Sequence, residues 1–168
     1  NLVGIDPTAE RFKKYYKKNT RIISEFFSRN IIQENNFSNK AKIVTSFAMF
    51  YDLEDPIEFA RSVSLALDKN EGLWVLEQSY LPSMLAQNAY DTICHEHLEY
   101  YALNQIKWIL NNSDMKLVDV ELTDTNGGSF VIYCSHKESR YEPNNSNIIN
   151  IENYEKKLLL NKLDIYEE

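Results

Sequence analysis

The chain has 168 residues and a net charge of −7, enough length for a domain with a real core. No apolar run approaches the ~20 residues a membrane span needs, and no signal-peptide pattern opens the chain. Basic residues cluster only at Lys13-Lys14 and Lys17-Lys18, so neither nucleic acid nor a membrane is expected as a partner.

In chain order, Leu2-Val3-Gly4-Ile5-Asp6 reads as a short buried strand ending in a carboxylate. Pro7 and Thr8 then open a predicted helix that runs to about residue 18, with Phe12, Tyr15 and Tyr16 on its apolar side. Strand, acid and helix are half of a nucleotide-binding unit, in which an acid at a strand end often holds ribose hydroxyls. Asp6 as a plain helix cap is the alternative. Residues 20–27 read as another short strand and 28–36 as a helix with Ile31 and Ile32 inward. Residues 42–47 are a β-branched strand, followed by a loop over 49–53. Asp55 and Pro56 start a helix to about residue 68, with Ile57, Ala60, Val63, Ser64 and Leu67 at helical spacing.

Residues 70–72 are a turn and 73–77 the next strand. Residues 79–90 form a connector that holds Pro82 and has room for a short helix. Residues 104–112 are an amphipathic helix with Ile106, Ile109 and Leu110 inward. Strands over 115–122 and 129–135, joined by a tight turn at 124–128, read as an antiparallel hairpin. Residues 136–147 read as a polar linker with His136 at the surface. Residues 148–166 read as a helix with Ile151, Tyr154, Leu158 and Ile165 along one side. The alternation predicts an α/β, Rossmann-like, mostly parallel sheet with one antiparallel strand near the C-terminus. Cys94 and Cys134, far apart in sequence, make neither a disulfide framework nor a metal spacing, which suits a reducing cytoplasm.

The densest chemistry lies in the stretch Tyr90-Asp91-Thr92-Ile93-Cys94-His95-Glu96-His97-Leu98-Glu99-Tyr100-Tyr101. It holds two of the three histidines and follows the strand at 73–77, where open α/β sheets bind ligands. That stretch, the run Leu73-Trp74-Val75-Leu76-Glu77-Gln78-Ser79-Tyr80-Leu81-Pro82 before it, and Asn126-Gly127-Gly128-Ser129 after it resemble S-adenosylmethionine-dependent sugar C-methyltransferases. The resemblance covers most of residues 1 to about 137. It implies a class I methyltransferase sheet and the cofactor S-adenosyl-L-methionine. The implied substrate is a nucleotide-linked keto-deoxysugar. It also implies a zinc-binding domain upstream and a further domain downstream. Residues 1–137 would then be a partial methyltransferase domain, and 138–168 a linker and helix leading on. None of the four glycines forms a G-x-G-x-x-G loop. The first strand and its glycine loop are therefore expected upstream of Asn1, in a longer protein. A fragment without that loop is expected to bind the cofactor weakly or not at all.

By position in the family, Asp6 would hold the ribose, Phe26 and Phe27 would flank the adenine, and Phe47, Ala48 and Met49 would lie beside the cofactor. His97 would be the base that removes the proton next to the ketone, since a histidine near pKa ~6.5 suits that task. Glu96 would orient a ring or hold a sugar hydroxyl, and His95 or Tyr100 would polarise the ketone oxygen. The family often has an aromatic residue where Cys94 stands; a catalytic hydroxyl there would be lost, or supplied by Tyr90 or Tyr100. Glu77, Tyr80, Tyr90, Asn126, Gly127, Gly128 and Ser129 complete the expected substrate set. The glycines also read simply as a hairpin turn.

Structural histidines are the alternative to a catalytic His97. A metal site is not expected, because His95 and His97 lack H-E-x-x-H spacing. Cys94 beside a histidine says little about a nucleophile. The rival function is a non-catalytic sugar-nucleotide-binding or assembly module that kept the fold. Nothing in the sequence bears on oligomeric state.

Overall fold

The computed structural model describes residues 1–35, 37 and 39–166. The chain divides into two compact units, 1–39 and 40–168, and each is described by itself.

In the first unit, β1 (Leu2–Ile5) and β2 (Thr20–Ile23) pair in parallel. Ser28 caps α1 (Arg29–Glu34), its Oγ accepting from the Ile31 N–H, and Ile32 turns inward. Residue 36, the expected end of this helix, lies outside the described residues. The helix expected at 8–18 is replaced by successive turns and one 3-10 turn, Lys13–Tyr15. Asp6 explains the start: its Oδ1 accepts from both the N–H and the hydroxyl of Thr8, a local turn that competes with helix. Lys13/Lys17 and Lys14/Lys18 would also set like charges at i,i+4. Nor is β1 buried. Leu2 and Val3 are exposed, since β2 is its one strand neighbour among the described residues.

The second unit is built on four strands in the order β3-β4-β6-β5: β3 (Ile43–Phe47), β4 (Leu73–Ser79), β5 (Met115–Thr123) and β6 (Ser129–His136). β3 and β4 run parallel, joined through α2 (Pro56–Ala66), whose N-cap Asp55 accepts from the Glu58 N–H at 2.9 Å. β6 is antiparallel to both β4 and β5. The expected parallel pairing with one antiparallel strand near the C-terminus is therefore present.

The strand period of two sorts the residues by face. Trp74, Leu76 and Tyr80 are buried with Phe130, Ile132, Ala60, Val63, Leu103, Ile106 and Leu110. Phe50 packs edge-on to Trp74 at 5.6 Å between centroids and 5.5 Å from Tyr101. Trp74 satisfies its indole N–H on Ser46 Oγ at 2.9 Å. On the opposite face of β3, Ile43 and Phe47 are exposed.

β4 runs into α3 (Leu81–Gln87), and α4 (Leu103–Asn111) follows the histidine loop. Residues 137–144, expected to be a linker, are tied to the sheet: Asn144 donates from its backbone to Val118 O at 2.7 Å and from its side chain to Asp119 at 3.0 Å. α5 (Asn145–Leu158) packs inward through Ile148, Ile151 and Glu155. It ends earlier than expected, because Leu159 takes a left-handed backbone (φ 53°) and a 3-10 turn, Leu163–Tyr166, follows. The Ile165 side chain and residue 168 lie outside the described residues. His136, expected at the surface, is buried, with Nδ1 3.4 Å from Ser64 Oγ. Its place at the end of β6 puts it beneath α2, which no linear pattern signalled.

Candidate active site

The loop over residues 88–102 is leashed at its stem. Tyr80 and Tyr101 form a parallel bridge, the Leu81 N–H donates to Tyr101 O at 2.9 Å, and the Leu103 N–H donates to Glu155 Oε1 at 2.7 Å. Tyr80 is wholly buried and donates its hydroxyl to the same Glu155 oxygen at 2.9 Å. Burial and the neighbouring Glu155 push that phenol well above its ordinary value. Tyr80 therefore serves as an anchor under the loop, with its hydroxyl committed.

Within the loop, a 3-10 turn (Tyr90–Thr92) brings the Thr92 carbonyl around to His97. Nδ1 of His97 lies 2.7 Å from Thr92 O. A carbonyl oxygen only accepts, so Nδ1 carries the hydrogen, and the neutral tautomer compatible with this bond has its lone pair on Nε2. Tyr100 donates its hydroxyl to the same carbonyl at 3.3 Å. His95 and Glu96 project into solvent, 92% and 73% exposed, with 3.9 Å between their nearest N and O atoms. Tyr90 is also exposed.

The loop is held against the end of β3 by a turn within residues 49–53, the stretch expected to be a loop. After Phe47 the chain passes Ala48, whose left-handed backbone (φ 49°) is unusual for a non-glycine. The Ala48 N–H donates to Glu77 O at 2.8 Å. Phe47 and Glu77 are partners in register on neighbouring parallel strands, Phe47 ending β3 and Glu77 two residues before the end of β4. Glu77 Oε1 accepts from Thr123 Oγ1 at 3.4 Å. The 3-10 turn Phe50–Asp52 follows Met49. Its Tyr51 carbonyl accepts from both the Leu98 and Glu99 N–H groups, at 2.9 and 3.1 Å. The Tyr51 ring lies 4.2 Å from the His97 ring between centroids, tilted by 49°.

Burial raises the Tyr51 phenol above its usual range, with Asp52 and Cys94 adding to it. Burial likewise raises the Asp52 carboxyl, while His97 pulls it back down and Glu96 adds to the rise. Glu99, two residues beyond His97, also lines a cavity of about 490 Å³ between the starts of α2 and α4, together with Asp55, Tyr101 and Trp108.

The glycine turn has a structural cause. Asn126, Gly127 and Gly128 all have positive φ (49°, 80° and 126°). A Cβ on Gly128 would stand 2.5 Å from Ser83 Cβ of α3. The Gly127 carbonyl accepts from Gln87 Nε2, and Gly128 O accepts from the Tyr80 N–H at 3.1 Å. Ser129 is buried, its hydroxyl donating to Thr125 O. Among the described residues no cluster of histidine, cysteine or carboxylate side chains has the geometry to hold a metal.

Residues 1–120 match the family described as "Methyltransferase domain". The chain belongs to this methyltransferase family. C-methyltransferase NovU of Streptomyces niveus is 28% identical over 142 residues, which are 84% of this chain and 34% of that protein. The chain thus spans about a third of the length of that curated relative. Among solved structures, the complex of LepI with SAM superposes with a TM-score of 0.63 at 13% identity, covering 82% of this chain and 36% of that one. A SAM-dependent methyltransferase from Anabaena variabilis gives a TM-score of 0.57 at 14% identity, covering 82% and 68%. At these identities the likeness is one of fold. The cofactor that the resemblance implies, S-adenosylmethionine, is the molecule named for both solved structures.

In this methyltransferase chain the cofactor candidates divide between the units. In the first, Asp6 is an exposed carboxylate at the end of β1 and Phe26 an exposed ring just after β2; Phe27, beside it, is half-buried. In the second, Phe47 is 55% exposed, with Ala48 and Met49 after it. Sequence reasoning missed Tyr51 and the Thr92 carbonyl. Only the place of Tyr51, just past a strand end, could have pointed to it.

Proposed function

We propose that this chain is part of an S-adenosylmethionine-dependent C-methyltransferase whose substrate is a nucleotide-linked keto-deoxysugar, with His97 as the base. The observation that carries the reading is the His97 Nδ1 to Thr92 carbonyl hydrogen bond of 2.7 Å, which leaves Nε2 as the proton acceptor. The relative NovU, a C-methyltransferase, supports carbon as the methyl acceptor.

S-adenosylmethionine supplies an electrophilic methyl group. Asp6 would hold its ribose and Phe26 and Phe27 its adenine, with Phe47, Ala48 and Met49 along its edge. His97 Nε2 would take the proton from the carbon beside the ketone, and the enolate carbon would accept the methyl as its bond to the sulfonium sulfur breaks, the sulfur leaving as a neutral thioether. His95 or Tyr100 polarises the ketone oxygen, and Glu96 holds a sugar hydroxyl. Glu77, Tyr90 and the Asn126–Ser129 turn line the sugar side.

His97→Gln in the full-length protein tests the reading. Cofactor binding by calorimetry is expected to be unchanged. Turnover is expected to fall by a factor on the order of 10²–10⁴, and exchange of the sugar's α-proton with deuterated solvent to stop. Near-normal turnover in the variant would remove His97 from the role.

A further inference from the structure

We propose that Tyr51 is the positioning residue of His97: it holds the imidazole in the one orientation that presents Nε2 as the free base. This rests on the reading of His97 as the base. The Thr92 carbonyl alone does not fix the ring. One in-plane hydrogen bond at Nδ1 leaves the imidazole free to swing about its own side-chain bonds, or to flip and lose the bond. A second surface across the ring face removes that freedom, and the Tyr51 ring provides it at 4.2 Å.

The same residue fixes where the loop stands. Its carbonyl takes the N–H groups of both residues that follow His97, so backbone and ring act on one target from one turn. That turn is itself set by the core, because Phe50 is buried against Trp74 and Tyr101. The result is an unbroken path from the packed sheet to the catalytic ring. The remaining charged or titratable groups near the ring are Asp52, on the same turn, and Glu96, Cys94 and Tyr100 on the loop. Asp52 acts on His97 through charge, whereas Tyr51 meets it ring to ring.

The hydroxyl of Tyr51 is not part of the proposal, which makes Tyr51→Phe the conservative control. Two aliphatic variants, Tyr51→Leu and the volume-keeping Tyr51→Met, remove the aromatic face. The readout is the ¹⁵N spectrum of the His97 imidazole in full-length protein labelled at histidine, assigned by comparison with His97→Gln. Wild type and Tyr51→Phe are expected to show one neutral tautomer with hydrogen on Nδ1. The aliphatic variants are expected to show a mixture with the Nε2–H form, because a loosened ring no longer keeps its bond to Thr92. Turnover is expected to fall about tenfold to a hundredfold in the aliphatic variants with KM unchanged, and to stay near normal in Tyr51→Phe. A single Nδ1–H tautomer in a folded aliphatic variant overturns the proposal. So does loss of turnover in Tyr51→Phe, which would make the hydroxyl the active part. A tautomer mixture with undiminished turnover upholds the hold of Tyr51 on the ring and removes His97 as the base.

Discussion

Where β3 and β4 begin, the turn over residues 68–72 brings its charges to opposite charges. Lys42 Nζ lies 3.1 Å from Asp68 Oδ2 and 2.8 Å from Glu71 Oε2, and Arg140 Nη1 lies 2.8 Å from Glu71 Oε1. Asp68 also accepts from the N–H groups of Asn70 and Glu71. Both carboxyls are accordingly held below their ordinary values, Asp68 first by the Glu71 N–H and then by Lys42, and Glu71 first by Lys42. Past the end of β3, the turn Phe50–Asp52 does the reverse. Asp52 is raised by burial, the neighbouring Glu96 adds to the rise, and only His97 offsets it. No lysine or arginine ion pair to Asp52 or Glu96 is present among the described residues. One turn has its polar groups paired within the fold. The other sets the Asp52 carboxyl beside Glu96 and His97 with no lysine or arginine paired to it, the kind of electrostatic environment that accompanies functional sites.

If the loop can afford unpaired groups because its stem is tied down, the largest effect should come from the tie. Glu155→Leu leaves the Tyr80 hydroxyl and the Leu103 N–H buried without an acceptor. It is expected to cost about 2–5 kcal/mol in urea unfolding. Glu155→Gln keeps an acceptor and should cost clearly less. Equal losses for the two would mean that Glu155 acts by packing alone.

The paired turn depends on close backbone approach as well as charge. A Cβ at Gly72 would stand 2.4 Å from Asp68 O. Gly72→Ala is therefore expected to destabilise by roughly 1–3 kcal/mol, read from the shift in denaturation midpoint.

The two turns should also respond to acid with opposite sign. Asp68 and Glu71 have folded values below the ordinary 3.8 and 4.5. Their contribution to stability is complete above those values and is lost as the pH falls through the lowered ones. Asp52 has a folded value above 3.8, so its contribution is unfavourable above that raised value and is relieved as the pH drops. Lys42→Met is expected to flatten the acid-side fall in stability, and Asp52→Asn to steepen it, in urea titrations from about pH 3 to 7. An unchanged acid limb in Lys42→Met would show that the paired turn is not where acid acts.

The smallest effect belongs to the most open group. His95, with its side chain 92% exposed, should tolerate His95→Gln with a stability change below about 0.5 kcal/mol. A larger loss in thermal melts would mean that the loop uses the His95 ring structurally.

Much of this molecule was legible in the chain itself. The β-branched run Ile43-Val44-Thr45, the helical spacing of Ala60, Val63 and Leu67, and the hairpin around Gly127-Gly128 each depend on near neighbours, and each element formed where its pattern lay. The gathering of His95, Glu96 and His97 beyond a strand end was visible for the same reason. The stretch at 8–18 carried a helical spacing of apolar residues, yet the Asp6 turn and the repeated lysines outweighed it.

What tertiary structure alone decided lies in pairs distant along the chain. His136 became buried because β6 ends beneath α2. Tyr80 lost its hydroxyl to Glu155, 75 positions away. The Tyr51 ring came to cover His97 because β3 and the loop after β4 finish at the same end of a parallel pair. Propensity and periodicity act over a few residues, so they can specify elements. Which side chain closes over which is settled only when those elements pack, since a close-packed interior admits few arrangements of them.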